Sequence, residues 1–225
     1  NSGEKTAIVG MNGSGKTTLV KLLLRFYNVT EGSILINGTD IKHFTQASIR
    51  KSFSVMFQDY SNYAFTLREN IVISDIYTPT TDNRIIEACK KSGVDEIYKN
   101  WDKGLDSYIY KEFEIDGKEL SGGENQKVAL GRTFYRNAEI IILDEPSSSL
   151  DPESEYKLFN KMIELCKDKG VILISHRLSN IMIAERIIVI ENGELIEQGS
   201  HSELIKNNGR YATLFRYQAE RYKNK

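Results

Sequence analysis

The chain has 225 residues, 40% of them hydrophobic, and a formal net charge of −1. This is enough to bury the core of one large domain, or of a domain with a subdomain, and the balanced charge argues against broad electrostatic binding to nucleic acid or anionic lipid. The two cysteines, Cys89 and Cys166, lie far apart without CxxC spacing, which argues against a structural disulfide, and no apolar run approaches the ~20 residues that span a bilayer.

In chain order, Thr6–Val9 is a short apolar strand that runs into glycines and then the apolar helix Leu19–Leu24. Ser33–Asn37 alternates between turn signals and predicts a sheet-edge strand, and Phe53–Phe57 predicts another. Residues 82–100 carry Ile85, Ile86, Cys89, Val94, Ile97 and Tyr98 on one side of a helix, and Ser121–Tyr135 is a further helix. Ile140–Leu143 is a continuous apolar run, as expected of a strand buried on both faces. Asp151 can cap the next helix, with Pro152 at its first position and Leu158, Phe159, Met162, Ile163 and Cys166 at helical spacing. Val171–Ile174 and Ile187–Ile190 are buried strands. Asn192-Gly193 turns the chain into Leu195–Gln198, and Tyr211, Leu214, Phe215 and Gln218 space as a docked C-terminal helix. Strands alternating with helices predict an α/β fold with a mainly parallel sheet, an antiparallel edge and an inserted α-helical subdomain. The expected boundaries are a core at about 1–59 and 136–225 and a subdomain at about 60–135.

Gly10–Thr17 reads GMNGSGKT and satisfies the phosphate-loop pattern GxxxxGK[ST] between a strand and a helix. Its glycines let successive backbone N–H groups face one anion, at a helix start that favours negative charge. Lys16 can reach the β- and γ-phosphates, and the Thr17 hydroxyl can ligate Mg²⁺. Asp144 and Glu145 end the strand Ile140–Leu143, at the sheet edge where ligands bind in open α/β folds. Their side chains point opposite ways, so Asp144 suits Mg²⁺ through its water shell and Glu145 suits a water-activating base. Gln58 and His176 also follow strands. Taken alone, each reads more simply as a surface or packing residue. A second glycine pair opens the helix at Ser121, where LSGGE spans Leu120–Glu124.

Taken together, these motifs resemble the ATPase domain of ABC transporters across nearly the whole chain. The matching segments, in family order, are Walker A at Gly10–Thr17, Gln58, the signature Leu120–Glu124, Walker B with its glutamate at Ile140–Glu145, SSLD at Ser148–Asp151 and His176. The resemblance implies a P-loop NTPase (RecA-like) core. It also implies ATP bound by Gly10, Asn12, Gly13, Ser14, Gly15, Lys16, Thr17 and Thr18, and Mg²⁺ served by Thr17, Gln58 and Asp144. In this scheme Glu145 is the general base, and Lys16, Gln58 and His176 complete the catalytic set. It further implies a head-to-tail dimer in which Ser121, Gly122 and Gly123 of one copy, with Asp151 coupling the sites, close on the ATP of the other.

Ala64–Ile71 and Ile187–Leu204 resemble exporter members, and the stretch around the signature resembles bacterial peptide (lantibiotic) exporters. A membrane domain, with the ATPase at the cytoplasmic face, is the implied partner. The first strands and an adenine-stacking aromatic are expected upstream of Asn1, and no nucleic-acid partner is expected. Two departures stand out: Glu124 where glutamine is usual, and Asn125 where a basic residue is common. Glu124 is expected to face away from the phosphate. A soluble relative acting on ribosomes or DNA, and a module that binds ATP with little hydrolysis, are the competing readings. The absence of a second cassette or long coiled coil counts against the first, and the presence of Glu145 and His176 against the second.

Overall fold

A computed structural model describes residues 3–145, 159–160, 162–175 and 181–223. It divides into two compact units, the first built from Asn1–Phe53, Glu139–Glu145 and Pro152–Lys225, the second from Ser54–Ala138 and Pro146–Asp151.

The first unit is a twisted sheet flanked by helices. It holds β1 (Lys5–Val9), α1 (Lys16–Leu23), the short ribbon β2 (Leu35–Ile36) and β3 (Thr39–Asp40), and α2 (Gln46–Lys51). After the second unit come β5 (Ile140–Asp144), β6 (Gly170–Ile174), β7 (Arg186–Glu191), β8 (Glu194–Gly199), α7 (His201–Asn207) and α8 (Arg210–Lys223). Strand β4 (Phe53–Met56) carries the chain out of this unit. The order β5-β6-β1-β7-β8 makes β1 central. The pairs β5/β6, β6/β1 and β1/β7 are parallel, and β7/β8 is antiparallel. The antiparallel pair follows from Asn192-Gly193, whose φ values of 52° and 82° suit a tight hairpin turn.

Register places Ile8 beside Ile174 and Ile188, so the apolar runs meet at one level of the sheet. Ala7, Val9, Ile187 and Val189 join Leu204 of α7 and the fully buried Tyr211 of α8 in one cluster, against which Leu214 and Phe215 pack. The helical spacing at the C-terminus therefore marks a docked helix. Ser33–Asn37 does not form an edge of this sheet. Only Leu35–Ile36 is a strand, paired with Thr39–Asp40 across the Asn37-Gly38 turn.

The second unit is helical: α3 (Leu67–Val72), α4 (Asp82–Ser92), α5 (Asp95–Tyr98) and α6 (Gly122–Arg136). Thr66 and Ser121 cap α3 and α6 in capping boxes with Glu69 and Glu124, which satisfies N–H groups that a helix start leaves without partners. Residues 82–100 do not form one helix. Gly93 takes φ 76° and closes α4 through a bond to Cys89 O, a left-handed cap that glycine adopts at least cost. Leu67, Ile71, Ile85, Cys89, Val128 and Tyr135 form the buried centre. Cys89 and Cys166 are both buried thiols, and burial pushes Cys89 up to about 12. Among the described residues no helix is long and apolar enough to cross a membrane.

Candidate functional site

The phosphate-loop residues leave β1 at Gly10 and enter α1 at Lys16. The loop is braced from beneath by the β7–β8 hairpin. A Cβ on Gly10 would lie 2.2 Å from Ile190 O and 2.5 Å from Ser14 Oγ, so only glycine fits there. Gly15 caps α1 at φ 103°, a conformation that suits glycine, and the N–H of Gly193 donates to Ser14 O at 3.0 Å. The first turn of α1 holds no acidic residue, leaving its N-terminal field uncompensated.

Lys16 folds under the loop. Its Nζ donates to Gly10 O at 2.9 Å and Met11 O at 3.0 Å, and the side chain is only 7% exposed. An ammonium has three N–H groups, so one more donor remains for a ligand oxygen. Burial lowers its pKa, against the opposite pull of Glu145 and Asp144. An anion beside the ammonium would favour its charged form and so oppose the effect of burial. Ser14 Oγ is buried without a hydrogen-bond partner, a second polar atom that a ligand could satisfy.

Thr17 Oγ1 donates to Asp144 Oδ2 at 3.3 Å, so the helix start and the end of β5 meet. Asp144 is buried at 3% exposure. A hydroxyl beside a carboxylate is a hard-oxygen donor pair of the kind Mg²⁺ takes, and the residues present fit that ion. Among the described residues no group of three or more His, Cys, Asp or Glu could hold a metal. Glu145 adopts φ 47°, and its N–H donates to Ile174 O at 2.9 Å. A non-glycine residue in the left-handed region costs on the order of 1–3 kcal/mol, and such costs concentrate at functional sites. Thus Gly10–Thr18, Asp144 and Glu145 are brought together in the first unit.

The second glycine-opened helix start lies in the second unit. Ser121 is the N-cap of α6, and Gly122 and Gly123 form its first turn, where helix geometry leaves N–H groups without carbonyl partners. The N–H of Ser121 itself does not belong to that exposed set. It donates to Glu124 Oε2 at 2.8 Å, and Ser121 Oγ donates to the same oxygen at 2.7 Å. These bonds, the hydroxyl first, hold the Glu124 carboxyl below its usual range. Gln58 sits exposed at a bend after β4, in the second unit. Asp151, the rest of Ser148–Asp151 and His176 lie outside the described residues.

Sequence reasoning did not find the bracing residues. Gly193 was legible only as a turn, yet its N–H holds Ser14. Arg210, at the start of α8, puts Nη2 2.7 Å from Glu191 Oε1 and 3.3 Å from Met11 Sδ, the second residue of the loop. No local pattern marks contacts between residues so far apart in sequence.

The family model described as "ABC transporter" matches residues 1–148. A Bacillus subtilis (strain 168) protein named as a candidate multidrug export ATP-binding/permease protein is 40% identical over 218 residues, covering 97% of this chain and 37% of its own length. A Staphylococcus aureus (strain NCTC 8325 / PS 47) protein of the same description is 41% identical over 217 residues, covering 96% of this chain and 36% of its own. The structure of a bacterial Atm1-family ABC exporter with ATP bound superposes with a TM-score of 0.87 at 35% identity, over 96% of this chain and 37% of that one. The chain therefore spans little more than a third of the relatives it matches.

Proposed function

Because the chain belongs to the ABC transporter family, a family of ATP hydrolases whose ATP-binding domain it represents, we propose that it is the motor of a membrane exporter. In this reading it binds ATP with Mg²⁺, pairs head to tail with a second copy, and couples hydrolysis to movement of a cargo. The observation that carries it is the meeting of Lys16, Thr17 and Asp144 at a loop whose first residue, Gly10, has no space for a Cβ. The names of the relatives, with their permease portions, support a membrane domain as partner, and the reading sets the ATPase on its cytoplasmic side.

Mechanistically, the Gly10–Thr17 backbone and the third N–H of Lys16 bind and orient the phosphates, stabilising charge as it develops. Thr17, Asp144 and Gln58 would hold Mg²⁺, which when bound supplies a Lewis acid for the phosphate oxygens. Glu145 accepts the proton of the attacking water, and His176 orients the γ-phosphate. Ser121, Gly122 and Gly123 of the second copy close the site, and Asp151 ties the two sites together. Release of the γ-phosphate would remove the contacts that join the faces, a switch by phosphate loss.

For the cargo, resemblance around the signature supports a peptide, whereas the relatives' names support compounds of the multidrug type. Transport assays with vesicles holding the full-length protein separate the two. The motor reading itself is tested by Glu145→Gln. It should retain ATP binding, lose turnover by at least a hundredfold and accumulate an ATP-stabilised dimer. Hydrolysis at the parent rate refutes the assignment of the base.

A further inference from the structure

We propose that Asn125 is a positioning residue that locks the Ser121–Gly123 cradle to the segment following Gln58, so that the two move as one piece. The inference rests on the reading that this cradle meets nucleotide.

The side-chain amide of Asn125 works in both directions. Its Nδ2 donates to Leu120 O at 3.1 Å and Ser121 O at 3.2 Å, holding the last carbonyls before the glycine pair. Its Oδ1 accepts from Tyr110 Oη at 2.7 Å and from Asn62 Nδ2 at 2.6 Å. The same Asn62 Nδ2 reaches Asn125 O at 3.2 Å. Asn62 lies four residues after Gln58 on the chain. One amide thus joins three segments: the cradle, the loop at Tyr110, and the stretch after Gln58.

A second residue on the same helix completes the lock. Arg132 lies seven residues, or two turns, beyond Asn125, which brings it to the same face of α6. Its guanidinium donates to Ser61 O and to Asn70 O, the latter at 2.7 Å, and lies 5.3 Å from the Tyr63 ring centre. Asn70 in turn accepts from Tyr63 N and donates to Tyr63 O, each at 2.9 Å. Residues 61–63 are therefore held to α6 along their whole length.

The chemistry requires an amide of this length at position 125. Arginine or lysine has donors only and could not accept from Tyr110 or Asn62; aspartate has acceptors only and would face two carbonyls. A phenol is protonated near neutral pH, and burial raises the Tyr110 hydroxyl further, so it stays a donor.

The test uses the full chain with Asn125→Arg, Asn125→Asp and Tyr110→Phe, and Gly123→Asp as the control for the cradle itself. Backbone amide exchange should quicken about tenfold at both 58–63 and 120–123 in the Asn125 variants. ATP-driven self-association should weaken about tenfold, while the ATP affinity of the separated chain stays at the parent value. Adding Tyr110→Phe to Asn125→Arg should cost nothing more, since the acceptor is already gone. If exchange quickens only at 120–123, Asn125 is a local cap and the inference is overturned. It is also overturned if Gly123→Asp abolishes association and the Asn125 variants leave it untouched. If Gly123→Asp leaves association untouched, the cradle reading falls and this inference falls with it. Should an Asn125 variant fail to fold, Tyr110→Phe, which removes one hydroxyl, decides alone: it must weaken association measurably, and parent behaviour overturns the proposal.

Discussion

Glu124→Gln should lower the stability of the single chain while strengthening its ATP-driven pairing, two effects of opposite sign from one atom change. The Glu124 carboxylate takes both the N–H and the hydroxyl of Ser121, at 2.8 and 2.7 Å. Charge-assisted bonds contribute roughly 1 kcal/mol more apiece than neutral ones. The side chain is partly exposed, so solvent screening leaves a net loss of about 0.5–1 kcal/mol when the charge is removed. The carboxylate also sits one turn from donors that would meet a phosphate. Two like charges one helical turn apart repel by roughly 1–3 kcal/mol across the dielectric range of a protein surface. Taking the lower end, association with ATP should tighten about fivefold. The assay is sedimentation of the chain with ATP in a Glu145→Gln background, beside thermal unfolding without nucleotide. The stability effect also carries a pH signature. The carboxyl is held below its ordinary value of 4.5, so its contribution is fully present above that pH and is lost as pH falls through the depressed value. The Gln variant should lack this loss. An association that is unchanged or weaker in Glu124→Gln, with stability reduced, would refute the idea that the Glu124 charge repels a phosphate at this helix start.

Gly10→Ala places a methyl 2.2 Å from Ile190 O; the loop must shift, and nucleotide affinity should fall at least tenfold with about 1–3 kcal/mol of lost stability, read by isothermal titration and denaturant melts. Lys16→Ala should weaken ATP binding by about a hundredfold, since a charge-assisted donor at phosphate contributes on the order of 1.5–3 kcal/mol; unchanged affinity would count against the cradle. Arg210→Ala removes the link from α8 to Met11 and Glu191, and should reduce ATP affinity only a few-fold, in line with a partly exposed contact worth under about 1 kcal/mol.

The chemistry of the site was legible along the chain because each part is local. A phosphate loop is eight consecutive residues, GMNGSGKT, whose glycines and lysine act through the backbone they share. The Asp144–Glu145 pair is one strand end, and the Ser121 cap is one helix start. Apolar runs such as Ile140–Leu143 named the buried strands for the same reason. Strand and helix limits were less legible, since Gly93 breaks residues 82–100 through a left-handed turn that helical periodicity does not register. Leu35–Ile36 likewise pairs with its own neighbour, Thr39–Asp40, and alternation alone does not say which strand completes a ladder.

From the sequence alone came the kinds of group at the candidate site: a glycine-rich loop with a lysine, a hydroxyl and a carboxylate, and a second glycine-opened helix start. Only the tertiary structure decided how these groups are held. It set Gly193 and Ile190 beneath the loop, buried Lys16 against the Gly10 and Met11 carbonyls, and turned Glu124 back onto Ser121. The division has a physical cause. A motif states which donors and acceptors lie within reach along one stretch of backbone, whereas burial and long-range partners depend on which distant segments the packed core brings into contact.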